Sequence, residues 1–314
     1  MIVVNLKGGV GNQMFQYAVG KTIALKNGAE LKIDLTFLQN QRSSKDHTFR
    51  EYDLNIFNID EDFLTEKDSK SYKIPPFCGK VASKLIAKGV IRERYFHHCP
   101  EIGLITTLPK RVSVIREKQF NFDPDILKLG DNVYLDGFWQ SYKYFEAIES
   151  EIRNEFTFKN QFDDINEQLS MEIQSTNSVC LNVRRLDFVS SLNTNRFHGV
   201  CDMDYFNRSI DIIASRISDF KIYVFSDDIH WCQENMKTNY PMKIVGPEYA
   251  GEKYQYKLRH MSLCKHFIIP NSTFGWWAAW LNNNPEKIVI APKKWFNDST
   301  INTSDLIPEQ WIRV

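Results

Sequence analysis

The chain has 314 residues, 43% of them hydrophobic and 13% aromatic. That length suits roughly two domains, and the composition is too apolar for a disordered or fibrous protein. Lys+Arg total 39 and Asp+Glu total 39, so the net charge is zero. The basic surplus that phosphate-backbone binding requires is missing, and no nucleic-acid partner is expected.

Ile2 to Leu6 is a short apolar run that reads as a first strand. Its apolar part is too short for a signal peptide and no small-residue cleavage pattern follows, so a cytoplasmic location is expected. Gly8-Gly9-Val10-Gly11 makes a glycine turn, and helical periodicity then runs from Asn12 to a C-cap signal at Asn27-Gly28. Glu30 to Leu35 reads as a second strand, completing a βαβ unit. From about Thr36 to Leu129 the chain is irregular and charged, more an insertion than a core. Within it Lys80, Lys84 and Lys88 share one helical stripe. That stripe is either a peripheral contact with an anionic membrane or the solvated face of an ordinary amphipathic helix. Asn132 to Phe138 reads as a strand, and Trp139-Gln140-Ser141-Tyr142 as the start of a helical stretch.

From Val179 onward strands and helices alternate: strands at 179–183, 221–225, 243–245, 266–269 and 287–291, helices at about 204–217, 229–236, 253–264 and 274–282. This pattern predicts a parallel sheet covered on both faces. The expected division is residues 1–160 and 161–314, with the linker near 155–165. Phe267 to Pro285 carries no charge, yet Pro270, Asn271 and three consecutive asparagines make a buried strand, turn and helix the better reading than a membrane span. Cys78, Cys99, Cys180, Cys201, Cys232 and Cys264 form no C-x-x-C pair and are expected to be reduced, mostly buried thiols.

Four segments carry candidate chemistry. In Gly9-x-Gly11 the third glycine of a dinucleotide fingerprint would fall on Met14, which removes a nicotinamide reading and leaves either a structural turn or a close backbone approach to a ligand. Asn182-Val183-Arg184-Arg185-Leu186-Asp187 ends a buried strand, where adjacent arginines are costly unless paired or bound to an anion. Strand geometry points them apart, so one guanidinium suits a diphosphate and the other a carboxylate such as Asp187; a domain-interface ion pair is the alternative. In Phe225-Ser226-Asp227-Asp228, Asp227 suits a base or ribose and Asp228 a helix cap. Asn271-Ser272-Thr273-Phe274 places free N–H groups at a helix start, fit for phosphate or simply an N-cap. The acidic pairs Asp60/Asp62, Asp123/Asp125 and Asp202/Asp204 follow no convincing strand, so the expected mechanism uses arginine and helix-terminal N–H groups without a metal. P-loop, nucleophile-elbow and zincin motifs are absent from the sequence.

Together these segments resemble the α-1,2-fucosyltransferase family. Gly8 to Ala18 is similar to its N-terminal signature, Asn182 to Asp187 to its H-x-R-R-x-D motif, and Phe225 to Cys232 and Ile269 to Trp277 to its remaining blocks. The likeness runs from residue 1 to about 296. It implies an α/β, GT-B architecture of two Rossmann-like domains facing across a cleft, with GDP-fucose held mainly by the C-terminal one and no metal or other cofactor. By that resemblance Arg184 contacts the donor diphosphate, Asn182 and Arg185 also border the donor, Asp227 lies near the guanosine, and Ser272, Thr273 and Phe274 line the phosphate side. Asn12 faces the donor from the N-terminal domain. The implied reaction inverts the fucose anomeric centre as the 2-hydroxyl of a terminal galactose, on an oligosaccharide or a lipid-linked glycan, displaces GDP.

Two departures matter. Asn182 stands where the motif has histidine and cannot act as a base at neutral pH. Leu192 stands where more distant fucosyltransferases place a glutamate. Asp187 becomes the candidate base, unless it only orients an arginine, and His198 the second. Trp139 is an acceptor-side candidate for stacking on a sugar, or else a core residue. Transfer of another GDP-linked sugar, and a non-catalytic GDP-sugar or glycan binding protein, are the competing readings.

Overall fold

The computed structural model describes residues 1–41, 49–71, 112–190 and 192–314. Lys80, Lys84, Lys88, Cys78 and Cys99 lie outside these residues, as do the side chains of Asp187 and Leu192. Strand β1 (Ile2–Asn5) is entirely buried and runs parallel to β2 (Leu31–Asp34) and β4 (Val133–Asp136), with β3 (Ser113–Arg116) outside β4; the sheet order is β2-β1-β4-β3. Helix α1 (Val10–Asn27) makes the crossover from β1 to β2 and stops where Gly28 turns left-handed at φ 58°, its N–H returning to the last turn. Gly20 lets that helix lie on the sheet: a Cβ there would sit 2.3 Å from Val4.

Two readings of this half need correction. Strand β3 belongs to the sheet although its stretch reads as an insertion; it is four residues long at a sheet edge and flanked by charge, which hides its alternation. No α-helix starts at Trp139, whose φ is 54°; the helical stretch begins at Tyr142, with 3₁₀ turns at Tyr142–Tyr144 and Glu146–Ile148 leading into an α-helix at Glu149–Glu155. The Trp139 ring is 2% exposed and packs edge-on against Tyr144, so it belongs to the core and offers no face to a sugar.

The second sheet is parallel throughout, in the order β10-β9-β8-β5-β6-β7: β5 (Asn177–Val183), β6 (Phe220–Ser226), β7 (Met242–Ile244), β8 (His266–Ile268), β9 (Val289–Ala291) and β10 (Ile312–Arg313). Its helices are α2 (Asp164–Ser175), α3 (Leu186–Ser190), α4 (Leu192–His198), α5 (Met203–Ala214), α6 (Ile229–Asn235), α7 (Gln255–Leu263) and α8 (Thr273–Leu281). From β5 the chain builds outward through β6 and β7, then returns to build β8, β9 and β10 on the other side. The carboxyl ends of β5 and β8 therefore flank a topological switch point, where sheets of this kind bind ligands. The acidic pairs are occupied locally: Asp202 caps α5 through Tyr205 N at 2.8 Å, Asp123 accepts from Asp125 N at 3.0 Å, and Asp62 pairs with Lys32.

The uncharged Phe-Gly-Trp-Trp-Ala-Ala-Trp run forms α8, buried from Gly275 to Trp280. It is apolar on every side because both halves of the chain cover it. Phe15 of α1 meets Trp276 at 4.6 Å and Trp277 at 4.9 Å, Phe145 stacks on Trp277, and Trp277 Nε1 donates to Gly11 O at 2.9 Å. Among the described residues no helix is long and apolar enough to cross a membrane. Cys180, Cys232 and Cys264 are buried free thiols, and Cys201 is half-buried.

Candidate active site

Strand β5 sends Leu181 and Val183 into one core layer, and alternation turns Asn182 to the other face. There its Nδ2 donates to Phe225 O at 3.0 Å, tying β5 to β6, and its Oδ1 lies where a Cβ on Gly275 would come within 2.7 Å. Glycine at 275 thus lets the start of α8 approach the end of β5.

The two arginines beyond Val183 part as a strand end requires, but Asp227 and Asp228 hold them. Val183 pairs with Ser226 in the β5–β6 register, which delivers these two aspartates beside them. Arg184 Nη1 lies 3.1 Å from Asp227 Oδ2. The same carboxylate accepts Arg185 N at 2.9 Å and Leu186 N at 3.2 Å, so it also anchors the first turn of α3. Asp227 is thereby engaged with three protein donors, Arg184 among them. Arg185 reaches Asp228 at 3.4 Å and lies 4.0 Å over the Trp231 ring, while Asp228 caps α6 through Trp231 N at 3.1 Å. Asp187 lies on α3, its side chain outside the described residues.

Sequence reasoning does not single out Lys257, a third cation at this strand end. Its Nζ donates to Ser226 O at 2.7 Å, and burial pushes its ammonium pKa below the ordinary value while the neighbouring Asp227 opposes the shift. The available signal was its position: Lys257 and Met261 are four apart on one face of α7, so a lysine sits on the buried stripe.

At the end of β8, Asn271 is buried and its Nδ2 donates to His198 O and Trp295 O at 2.8 and 3.1 Å, bracing the turn into α8. Ser272 is the N-cap, with extended φ/ψ and no side-chain bond to the helix. Among the described residues no side chain caps the N–H groups that open α8, as an anion would need. Thr273 turns its hydroxyl across to Asn12, and Phe274 meets Tyr254 at 5.7 Å. His198 stacks on Phe188 at 4.7 Å, and Phe188 lies 5.7 Å beneath the Arg184 guanidinium. His198 thus sits in the second half, behind Arg184.

From the first half, α1 brings the glycine turn to the same place. A Cβ on Gly11 would lie 2.6 Å from Thr273 Oγ1, so the close backbone approach is to α8 itself. Asn12 Oδ1 accepts from Gln140 Nε2 at 2.8 Å and from Thr273 Oγ1 at 3.1 Å, one donor from each half. With the oxygen doubly engaged, the amide nitrogen is directed over Gly8, whose φ is 72° and where a Cβ would come within 2.4 Å of Nδ2. Gln13 and Gln16 brace the turn: Gln13 bonds Gly8 O, Glu51 O and Asp53 N, and Gln16 bonds Lys7 N and Gly137 O. Glu117, just beyond β3, belongs to no motif legible in the sequence. It accepts Phe138 N at 2.8 Å and Trp139 N at 3.0 Å, and burial lifts its carboxyl to about 7 against the pull of those bonds and of Lys7.

Arg184, Lys257 and the start of α8 thus bring positive charge to the switch point, opposite a carboxamide offering N–H donors. Such an arrangement suits a diphosphate. Among the described residues no three of His, Cys, Asp and Glu converge as metal ligands.

Residues 110–314 match the family described as Glycosyl transferase family 11. The chain is 32% identical to an Escherichia coli protein named alpha-1,2-colitosyltransferase over 100% of this chain and 99% of that protein. It is 30% identical to galactoside alpha-(1,2)-fucosyltransferase 1 of Rattus norvegicus over 47% of this chain and 41% of the rat protein. Among solved structures, that of an Arabidopsis thaliana FUT1 mutant in complex with GDP is similar at a TM-score of 0.50, covering 92% of this chain and 69% of that one at 10% identity. That likeness speaks to the fold, which is GT-B-like.

Proposed function

Because the chain belongs to glycosyl transferase family 11, we propose that it moves L-fucose from GDP-fucose to the 2-hydroxyl of a terminal galactose, inverting the anomeric carbon and using no metal. The observation that carries this reading is the meeting of Arg184, Lys257 and the uncapped start of α8 at the switch point, facing Asn12. In the proposed step the galactose oxygen attacks the fucose C1, the bond from C1 to the β-phosphate oxygen breaks, and its electron pair stays on GDP. The hydroxyl proton passes to a base, for which Asp187 is our candidate. Negative charge grows on the β-phosphate, so cations and N–H dipoles fixed there act most strongly in the transition state. Asp227 holds Arg184 in place before the donor arrives, and Asn12 adds its N–H pair from the other half.

A second donor has one observation in its favour, the end-to-end likeness to a protein named a colitosyltransferase. Donors that differ by one sugar substituent are separated by pocket contacts. The test is thermal stabilisation by GDP-fucose, GDP-mannose, UDP-galactose and ADP in EDTA, followed by transfer to β-galactosides. A ligand at 100 times its Kd should add about 2.7 kcal/mol. Selective stabilisation by GDP-fucose with turnover on a galactoside is the expected result. No response to any guanosine nucleotide, even with magnesium restored, would overturn the proposal.

A further inference from the structure

We infer that Glu117 is a positioning residue that sets Asn12 against the donor through the Phe138–Trp139 turn and Gln140. The inference rests on the reading above, in which Asn12 faces the donor diphosphate. Glu117 follows the last residue of β3, is 9% exposed, and receives Phe138 N on one oxygen and Trp139 N on the other. Those two N–H groups belong to the turn that leaves β4, and the turn is strained: Trp139 is held at φ 54°, a region that bulky side chains rarely occupy. Gly137 sits just before it because a Cβ there would fall 2.5 Å from the Glu117 Cβ. The residue that emerges from the turn is Gln140, 6% exposed, whose Nε2 donates to Asn12 Oδ1. Gln140 Oε1 has no hydrogen-bond partner among the described residues. The Gln140 side chain is therefore held by the turn beneath it and by Asn12, with no third bond to fix it.

A direct base role fits the geometry poorly, since both Glu117 oxygens already accept backbone N–H groups. Only the ionised form leaves both oxygens free to accept, because a proton on either one competes with a backbone donor. The groups around it are Lys7 and Asp136, which pair with each other, Arg116, which also pairs with Asp136, and Tyr144. The ionisation of Glu117, near pH 7, thus governs how firmly the turn is held.

The experiment is calorimetric binding of GDP-fucose, without acceptor, at pH 6 and pH 8. GDP-fucose is a pyrophosphate diester whose own charge does not change over that range. Asn12→Ala should weaken binding about 20-fold, the cost of lost bonds to a charged group. Glu117→Gln keeps one acceptor oxygen and sets an NH₂ against the second N–H, and should weaken binding about 5-fold at pH 8. The wild type should lose affinity between pH 8 and pH 6, and Glu117→Gln should abolish that loss. The double variant should bind as Asn12→Ala does, since both act through one contact. Gln140→Met gives the same cycle without touching Glu117 and covers the case in which Glu117→Gln folds poorly. If Asn12→Ala weakens binding while Glu117→Gln and Gln140→Met leave it and its pH dependence unchanged, or add in full to Asn12→Ala, the inference is wrong. If Asn12→Ala itself has no effect, the placing of Asn12 at the donor falls instead.

Discussion

Replacing Gly11 by alanine tests the seam on which the site depends. The new Cβ would lie 2.6 Å from Thr273 Oγ1, 2.7 Å from the Thr273 carbonyl carbon and 2.8 Å from its Cβ. Carbon atoms in contact prefer about 3.5–4.0 Å, so one of the two helix starts must retreat by about 0.8 Å or more. Rotating the threonine does not relieve this, because one of the colliding atoms is backbone. Retreat of α8 is resisted by Trp276 and Trp277, fully buried between the two halves. Overpacking of this kind costs about 1–3 kcal/mol. Losing the 3.1 Å bond from Thr273 to Asn12 adds about 1 kcal/mol.

At roughly 2–4 °C per kcal/mol the melting temperature should fall by about 4–16 °C. Asn12 loses its donor from the second half, and turnover of GDP-fucose should fall about tenfold. Scanning calorimetry beside a turnover assay reads both effects. Gly130→Ala is the control: nothing lies within 4 Å of a Cβ there, and the change should be neutral or slightly stabilising. A Gly11→Ala protein melting within about 2 °C of the wild type, at full turnover, would show that the seam is more compliant than its packing indicates.

Arg184→Lys keeps a positive charge but loses the guanidinium fork, and should lower turnover about 100-fold while melting within a few degrees of wild type; near-normal rates would remove Arg184 from the site. Lys257→Met should raise the KM for GDP-fucose about tenfold yet leave stability equal or higher, since a half-buried cation is exchanged for an apolar chain; calorimetry and initial rates check the two halves separately. His260 is 0% exposed, Nε2 donates to Asn166 Oδ1 at 2.7 Å, and Nδ1 has no partner among the described residues. Burial, with Arg259 adding to it, pushes its pKa down to about 4. Its contribution is thus present above about pH 6.5 and is lost as pH falls toward 4, an effect of about 3 kcal/mol. His260→Gln should flatten the pH dependence of melting in that window, and an unchanged slope would reject the assignment.

The second sheet was legible because β5 and β6 are continuous apolar runs, which a strand buried on both faces must be. The tryptophan helix was legible for a similar reason: no charge interrupts it, and prolines and asparagines bound it. Partners across the sheet were not legible. Asp187 is near the arginines in the chain, but Asp227 reaches Arg184 because Val183 and Ser226 are register partners, a fact no local pattern contains. Trp139 stayed open to both a sugar-stacking and a core reading because an aromatic beside polar residues reads alike on a surface and in a core; its burial follows from Tyr144 and a turn held by Glu117. Glu117 itself follows a short edge strand whose pattern is masked by charge, so neither the strand nor its terminal carboxylate announced itself.

The order in which the site assembles bears on how it would work. Asp227 occupies Arg184 and the first turn of α3 together, so the guanidinium is held before any donor enters. Lys257 is tied to the carbonyl of Ser226, and the α8 turn to Asn271, each by bonds internal to the protein. Positive charge is therefore fixed by the fold itself, and on the proposed reaction little reorganisation would remain as the diphosphate leaves. The carboxylate of Asp227 offsets part of that charge in the unliganded protein, which keeps adjacent cations from destabilising the strand end. On the proposed reaction, Asp227→Asn should then harm stability and turnover together, because the same three bonds serve both. A variant that lost turnover with no loss of stability would instead place Asp227 in contact with the donor.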